Sequence, residues 1–441
     1  MKKIFNPPDK IQTLSLKERN LIYQSIIERN EEGILWLEKL RKFVSFHNRN
    51  LRKISKKRFM GDSDSHLLWF REIFINQIIL SKDLQIDSGL LNATLIANDS
   101  CPNDFKYDSK LKSYLKNLES KLIESLPINF KDSNDEFKLS FSYSNWTKNN
   151  LQKNPVTIFC PSPYSLFSIS VINLCMHLDI PIKAVFILKF TSSRIKSELY
   201  RDGAYLFLKR VWRKLILKSD ENSDQALISM KFLKNQLSPN YSDIREITKL
   251  HDIKSYSVIN FEACLSLAKN KEGDVCLFTG GGLVNSNIID YFEHGIINVH
   301  MGPLPEYKGM DVVEAPILDG RFNEIALTSH LMKKDLDSGP IINKLHFSSD
   351  EYKSIGELRN EMGGLMPILA IDALIKLFKN DFKPIPQTSS GQQFYFIHSE
   401  LRKIIDKVIF NRFHQERLKN NKFRRENLKL FSLVLKEISQ K

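Results

Sequence analysis

Cysteine is scarce and carries no motif. The chain has five (Cys101, Cys160, Cys175, Cys264 and Cys276), an odd number with no C-x-x-C spacing. That argues against a disulfide framework or a zinc site and leaves reduced, mostly buried thiols. Long apolar runs are missing too. The most apolar stretch, Leu166 to Phe190, is interrupted by His177, Asp179, Pro181 and Lys183. It falls short of the roughly 20 apolar residues a spanning helix needs, so no transmembrane segment is expected. The start, MKKIFNPPDKIQ, has charge but no apolar core, which does not read as a signal peptide. A cytoplasmic location is the expectation. Phosphate-binding fingerprints are absent: no G-x-G-x-x-G follows the first strand-like run, and no Lys-Ser/Thr follows Gly280-Gly281-Gly282. Dinucleotide and Walker-type loops are thereby excluded. Glycine is also sparse early. Of 17 glycines, twelve fall between 276 and 400, so loops that approach a ligand closely are expected there.

What remains is a chain of 441 residues, 42% hydrophobic, with a formal net charge of +14. Two or three domains with real cores are expected. The charge favours an anionic partner such as a nucleotide, nucleic acid or membrane surface. Residues 1–150 read as a mostly helical domain of unknown role: Leu16 to Phe46 repeats apolar residues at helical spacing, and His66 to Leu80 and Leu111 to Leu126 suggest further helices. Arg49 to Arg58 carries six basic residues, either a solvated helix face or a patch for an anion. Glu136 to Tyr143 alternates like a half-buried strand, and polar Asn145 to Asn154 looks like a linker.

A second domain, 155–380, follows. Val156 to Cys160 suits a central strand, Leu166 to Leu178 a buried helix and Ile182 to Phe190 a second strand, which opens a βαβ unit and hence an α/β fold with a mainly parallel sheet. Phe261 to Lys269 is expected to be helical, Val275 to Thr279 a strand, Asn285 to Phe292 a short helix and Ile355 to Phe378 a long covering helix. Asp311 to Leu318 predicts a helix with Asp311 as its cap. Strands are expected at Ile325 to Met332 and Pro340 to Phe347. The third segment, 381–441, is a basic helical tail with a net charge of +8 over residues 401–441.

The stretch that organises the chain is Gly295 to Gly309, GIINVHMGPLPEYKG, with its echo LDSGPII at Leu336 to Ile342. Asn298 and His300 are two apart, so on a strand they project from one face while Ile297 and Val299 pack behind. Gly302, Pro303, Pro305 and Gly309 then force a shaped loop. A polar pair at a strand end under such a loop is a common way for α/β enzymes to build a site. Phe278, Gly280, Gly281 and Leu283 form a strand-end loop whose backbone can approach a flat ligand.

Asn298-Val299-His300, Leu304-Pro305, Tyr307-Lys308-Gly309, Thr328-Ser329-His330 and Leu336-Asp337-Ser338-Gly339 together resemble the folate-dependent formyltransferase superfamily. The resemblance spans about 156–380 and is strongest over 276–342. It implies a Rossmann-like core and an N-formyltransferase that uses 10-formyltetrahydrofolate without a metal. Carried over by position, Asn298, His300 and Asp337 match the catalytic triad. Phe278, Gly280, Gly281 and Leu283 are the candidates for pterin contacts, because Gly-rich strand ends bind many flat ligands. Met301, Tyr307, Lys308, Glu314 and His330 are the candidates for acceptor contacts. The chemistry agrees. An amide donor aimed at a developing oxyanion lowers the barrier, and a His–Asp pair handles the proton that an attacking ammonium must lose. The sequence departs from the family in Met301-Gly302-Pro303, where a serine is usual, and in Asp311 and Glu314, a carboxylate pair that suits either a cationic amine or a cap and a surface residue. By elimination the expected acceptor is a primary amine on a small anionic molecule such as a nucleotide-linked amino sugar. A folate hydrolase, a methionyl-tRNA formyltransferase and a silent binding protein of the same fold are the alternatives. Nucleic acid is the less favoured partner, and a homo-oligomer is compatible with the composition.

Overall fold

Val156 to Cys160 is wholly buried, as a β-branched run flanked by strands on both sides should be. In the computed structural model it is β1, the third strand of a seven-stranded sheet. The described residues are 109–125, 145–189, 191, 240–267, 275–282, 284–379, 382–388, 391–394, 397–415 and 422–439, with scattered positions within 21–39, 88–95 and 234–235. The expected basic run at Arg49 to Arg58, the helix at His66 to Leu80, the strand at Glu136 to Tyr143, Cys101 and Leu283 lie outside them.

The remaining strands of this sheet are β2 (Ile182–Leu188), β3 (Ser255–Val258), β4 (Val275–Phe278), β5 (Ile296–His300), β6 (Ile325–Leu331) and β7 (Ile341–Phe347). Their order is β3-β2-β1-β4-β5-β6-β7. From β3 to β5 every pairing is parallel. The chain then reverses, and β5–β6 and β6–β7 are antiparallel. The sheet is therefore mostly parallel, as expected of an α/β fold, with an antiparallel margin at the β7 side. Because β1, β4 and β5 run the same way, their carboxyl ends open onto one edge, where such sheets bind ligands.

The core beside that edge is aromatic. Phe159 stacks on Phe261 at 4.3 Å and 4°, and meets Phe186 and Phe292 edge-on. Fully burying such side chains contributes about 1.5–3 kcal/mol each. The helix Ile355–Leu377 packs over β5, β6, β7 and the helix Leu166–His177. It starts where Ser354 Oγ accepts the Glu357 N–H at 3.1 Å while Glu357 accepts the Lys353 N–H at 2.8 Å, a reciprocal cap. Cys160, Cys175, Cys264 and Cys276 are buried and unbridged, and burial pushes the Cys160 and Cys175 thiols up to about 12. Among the described residues no helix is long and apolar enough to cross a membrane.

By its contacts the chain divides into two units that interleave along the sequence. The sheet belongs to the unit made of Ile128–Lys308, Phe322–Gly391 and Phe413–Lys441. In that unit the helix Lys422–Ser439 of the basic tail is docked rather than outward-facing. Arg424 donates to Glu357 at 2.6 Å, lies 3.4 Å from Glu361 and covers the Tyr352 ring, while Glu351 accepts the backbone N–H groups of Phe423 and Arg424. The other unit is Met1–Pro127, Gly309–Arg321 and Gln392–Arg412. Within it Arg412, fully buried, donates to the carbonyls of Leu122 and Ser125 and so closes the helix Ser109–Glu124.

Two expectations are corrected. Asn145 to Asn154 is not a linker: residues 145–153 form a helix that runs directly into β1. Asp311 is not a helix cap, because the helix spans Glu314–Leu318 and Val313 precedes it. Asp311 takes a positive φ of 53°, accepts the Ile397 N–H at 3.0 Å and pairs with Arg402. Tertiary hydrogen bonds outcompete the local capping geometry.

Replacing Ser354 by Ala is expected to destabilise the protein by about 1 kcal/mol, the usual value of an N-cap side chain. The urea midpoint of Ser354→Ala against the parent checks it.

Candidate active site

The alternation of β5 decides what faces the carboxyl edge. Ile297 and Val299 are buried on one side, and Asn298 and His300 project from the other. The antiparallel return of β6 sets Asn298 opposite His330 and His300 opposite Thr328. Directly opposed residues share a face, so two dipeptide-spaced pairs make one cluster of four polar side chains.

Each member is held by a distinct bond. His300 Nε2 lies 3.0 Å from the Tyr307 carbonyl oxygen. A carbonyl can only accept, so Nε2 carries a hydrogen. His330 Nδ1 lies 3.0 Å from the Leu331 carbonyl oxygen, and by the same reasoning Nδ1–H donates. Its Nε2 therefore accepts the Asn298 amide N–H at 3.2 Å. His330 is only 1% exposed, and burial lowers its pKa from 6.5 to about 4, against the pull of Asp337. Thr328 Oγ1 donates to Gly302 O at 2.7 Å and accepts the Leu304 N–H at 3.3 Å, which ties the Gly/Pro loop to the strand below it.

Asp337 enters from the LDSGP turn. One carboxylate oxygen stands 3.6 Å from His300 Nδ1 and the other 3.7 Å from His330 Nε2. Its backbone is left-handed, φ 49°, a conformation Asp tolerates better than most residues. Gly339 makes the turn possible: a Cβ there would lie 1.7 Å from the Leu331 oxygen, the same oxygen that receives His330. Gln387, which carries no sequence motif, donates from Nε2 to the carbonyls of Asp337 at 2.9 Å and Gly339 at 2.7 Å. Only the fold could reveal it, through the bridge that joins Ile385 to Ile341.

His300 Nδ1, His330 Nε2 and both oxygens of Asp337 face one another, and the Asn298 N–H donates to His330 Nε2. A carboxylate set between two imidazoles favours an arriving N–H donor or cation and can handle its proton.

The other candidate residues divide. Lys308 is 8% exposed; burial lowers its pKa, opposed by attraction to Asp337, Asp335 and Glu306. Met301 is half-buried at the loop start. Tyr307 is buried and contributes its carbonyl to His300. Glu314 belongs to the other unit and is 2% exposed, so it is no surface residue. Phe278 sits beside Asn298 in the parallel register, packed edge-on against Phe261. Gly280 and Gly281 follow it with φ of 113° and 126°. A Cβ on Gly281 would meet Phe261 and Leu188 below 3 Å, so the loop lies flat on the aromatic core.

Comparison with known proteins bears on this edge of the sheet. The sequence profile of the Formyl transferase family matches residues 237–373. Residues 237–373 belong to the formyl transferase family. This formyl transferase segment holds β3 to β7 and all of Asn298, His300, His330 and Asp337. The chain is 30% identical over 178 residues to a methionyl-tRNA formyltransferase of Borrelia garinii, covering 40% of this chain and 54% of that one. It is 32% identical over 131 residues to one of Borreliella burgdorferi, covering 30% and 41%. The chain thus spans about half the length of these relatives. Among solved structures, a phosphoribosylglycinamide formyltransferase from Bacillus halodurans aligns with 52% of this chain and 97% of its own, at 16% identity and a TM-score of 0.35.

His330 and His346 are both lowered to about 4 by burial. A histidine kept neutral in the folded state binds its proton first in the unfolded chain. Stability is then full above about pH 6.5, falls as pH drops toward about 4, and levels off below. Urea midpoints across that range are expected to show the slope, and His330→Asn with His346→Asn to flatten it.

Proposed function

We propose that the formyl transferase segment moves a formyl group from 10-formyltetrahydrofolate to a primary amine. The observation that carries this reading is the convergence of Asn298, His300, His330 and Asp337 on one cluster, with neighbouring atoms 3.2–3.7 Å apart. The folate donor supplies the formyl group. The Gly280–Gly282 loop leaves room for it at Gly282, where a Cβ would meet nothing within 4 Å. Gly280, Gly281 and Phe278 would hold its flat ring.

The chain's own residues do the rest. The second N–H of the Asn298 amide is aimed away from His330 and donates to the formyl oxygen as charge grows there. One such donor is worth roughly 3–4 kcal/mol. His300 takes the proton of the attacking amine at Nδ1. The resulting imidazolium keeps its Nε2–H on the Tyr307 carbonyl and shares the new proton with Asp337; it then gives that proton to the departing donor nitrogen as the formyl carbon's bond to it breaks, which releases tetrahydrofolate and the formylated amine. His330, neutral, holds the Asn298 amide in place. Lys308, under the electrostatic influence of Asp337, Asp335 and Glu306, and Met301 at the loop start would meet the acceptor.

We place the acceptor among small anionic primary amines such as a nucleotide-linked amino sugar, which suits the basic chain. A second reading, the amino group of methionyl-tRNA, is favoured by the names of the relatives the segment matches. Turnover of 10-formyltetrahydrofolate with each amine separates them. Amine-dependent turnover supports transfer, and turnover with water alone supports hydrolysis. No turnover under any condition overturns the formyl-transfer reading. Asn298→Ala is expected to lower kcat by about 10²–10³.

A further inference from the structure

We propose that Gln387 is a positioning residue that aims the Asp337 carboxylate, through the backbone of the turn that carries it. The inference rests on the formyl-transfer reading above and concerns a residue beyond the family-matched segment, which ends at 373.

Asp337 reaches the cluster from a turn that is awkward to hold. Residue 337 is left-handed without being glycine, and its carboxylate must stand between two imidazoles. Rotating this short turn swings the carboxylate away from both. Three contacts oppose that rotation. Gly339 is pressed on the Leu331 oxygen, so its end of the turn cannot retreat inward. Ser338 Oγ donates to Asp335 O at 2.8 Å on the exposed side. Gln387 Nε2 spans the middle, one N–H to Asp337 O and one to Gly339 O. Its own position is set by paired backbone hydrogen bonds of 2.8 Å in each direction between Ile341 and Ile385. Gln387 is thereby anchored to the first residue of β7, just after the turn it grips.

The residue type fits the task. Two carbonyls side by side need a forked donor. An Arg or Lys would supply one but would bring a positive charge to compete with His300 for Asp337; a primary amide supplies two N–H groups and no charge. The other side of the amide also speaks for function. Gln387 Oε1 is buried with no hydrogen-bond partner among the described residues. Such an atom costs stability, so the side chain is a poor choice for holding the fold and a good one for holding Asp337.

The test uses the full chain. Gln387→Met keeps the volume and removes both donors. It is expected to lower kcat for amine formylation by about tenfold to a hundredfold, with the KM for 10-formyltetrahydrofolate changed less than about twofold, as a misdirected catalytic group does. In an Asp337→Asn background the same change is expected to have an effect below about twofold, because the carboxylate it aims is gone. Parental kcat in Gln387→Met, or losses that multiply with those of Asp337→Asn, would overturn the proposal. Side-chain amide exchange of ¹⁵N-labelled Gln387 in the parent protein gives a reading independent of any variant's folding: slowed exchange supports the clamp, and exchange at the rate of a free amide refutes it. If the parent shows no turnover with any amine, the formyl-transfer reading fails by itself, and the amide measurement still decides whether Gln387 grips the turn.

Discussion

Everything at the site depends on the chain reversing after β5. Up to His300 the sheet grows by parallel crossovers, and each strand sends its end to the same edge. The antiparallel return of β6 brings a second strand back through that edge, residue against residue. A parallel neighbour could present only its terminal side chains there. The antiparallel one lays His330 against Asn298 and Thr328 against His300 with no loop between them. The LDSGP turn then follows directly from β6, so Asp337 reaches both imidazoles from a few residues away.

Backbone hydrogen bonds hold the two imidazole rings of the cluster. Buried polar groups are usually satisfied in pairs. Here backbone carbonyls have claimed one ring hydrogen from each histidine. The remaining nitrogen of His330 receives the Asn298 amide, and that of His300 faces the Asp337 carboxylate. Beneath this polar layer the sheet is packed with Phe159, Phe261, Phe278 and Phe292, which gives the edge a stiff apolar floor on which the glycine loop lies flat.

Much of this was legible in the residues, and for physical reasons. The i, i+2 spacing of Asn298 and His300 and of Thr328 and His330 states the facing of each strand. Burial of Val156–Cys160 and the helix at Leu166–His177 follow from apolar pattern alone. Asp311 misled because a carboxylate before an apolar run has the local form of a cap, while its real partners, Ile397 and Arg402, are more than eighty residues away in sequence. Residues 145–153 misled because polar helices that end in Lys-Asn-Pro look like linkers. Gln387 was invisible because side-chain to backbone bonds over about fifty residues leave no periodicity. β1 and β2 lie before the family-matched segment although they sit inside the same sheet. Their task is to be apolar and extended, and many sequences satisfy that; the chemistry of 298–339 is far less permissive.

Thr328 has a consequence that concerns folding rather than catalysis. Shifting β6 by one residue against β5 would turn Leu327 and Ser329 to the edge in place of Thr328 and His330, and the alternation of side chains opposes that. A shift by two keeps the same side inward and is nearly invisible to burial. It would set Asn298 against Thr328 and His300 against Ala326, leaving His330 beyond the cluster. The paired bonds of Thr328 to Gly302 and Leu304 exist only in the observed alignment. The Thr328 hydroxyl therefore discriminates between two sheets of similar apolar content, one of which lacks the four-residue cluster.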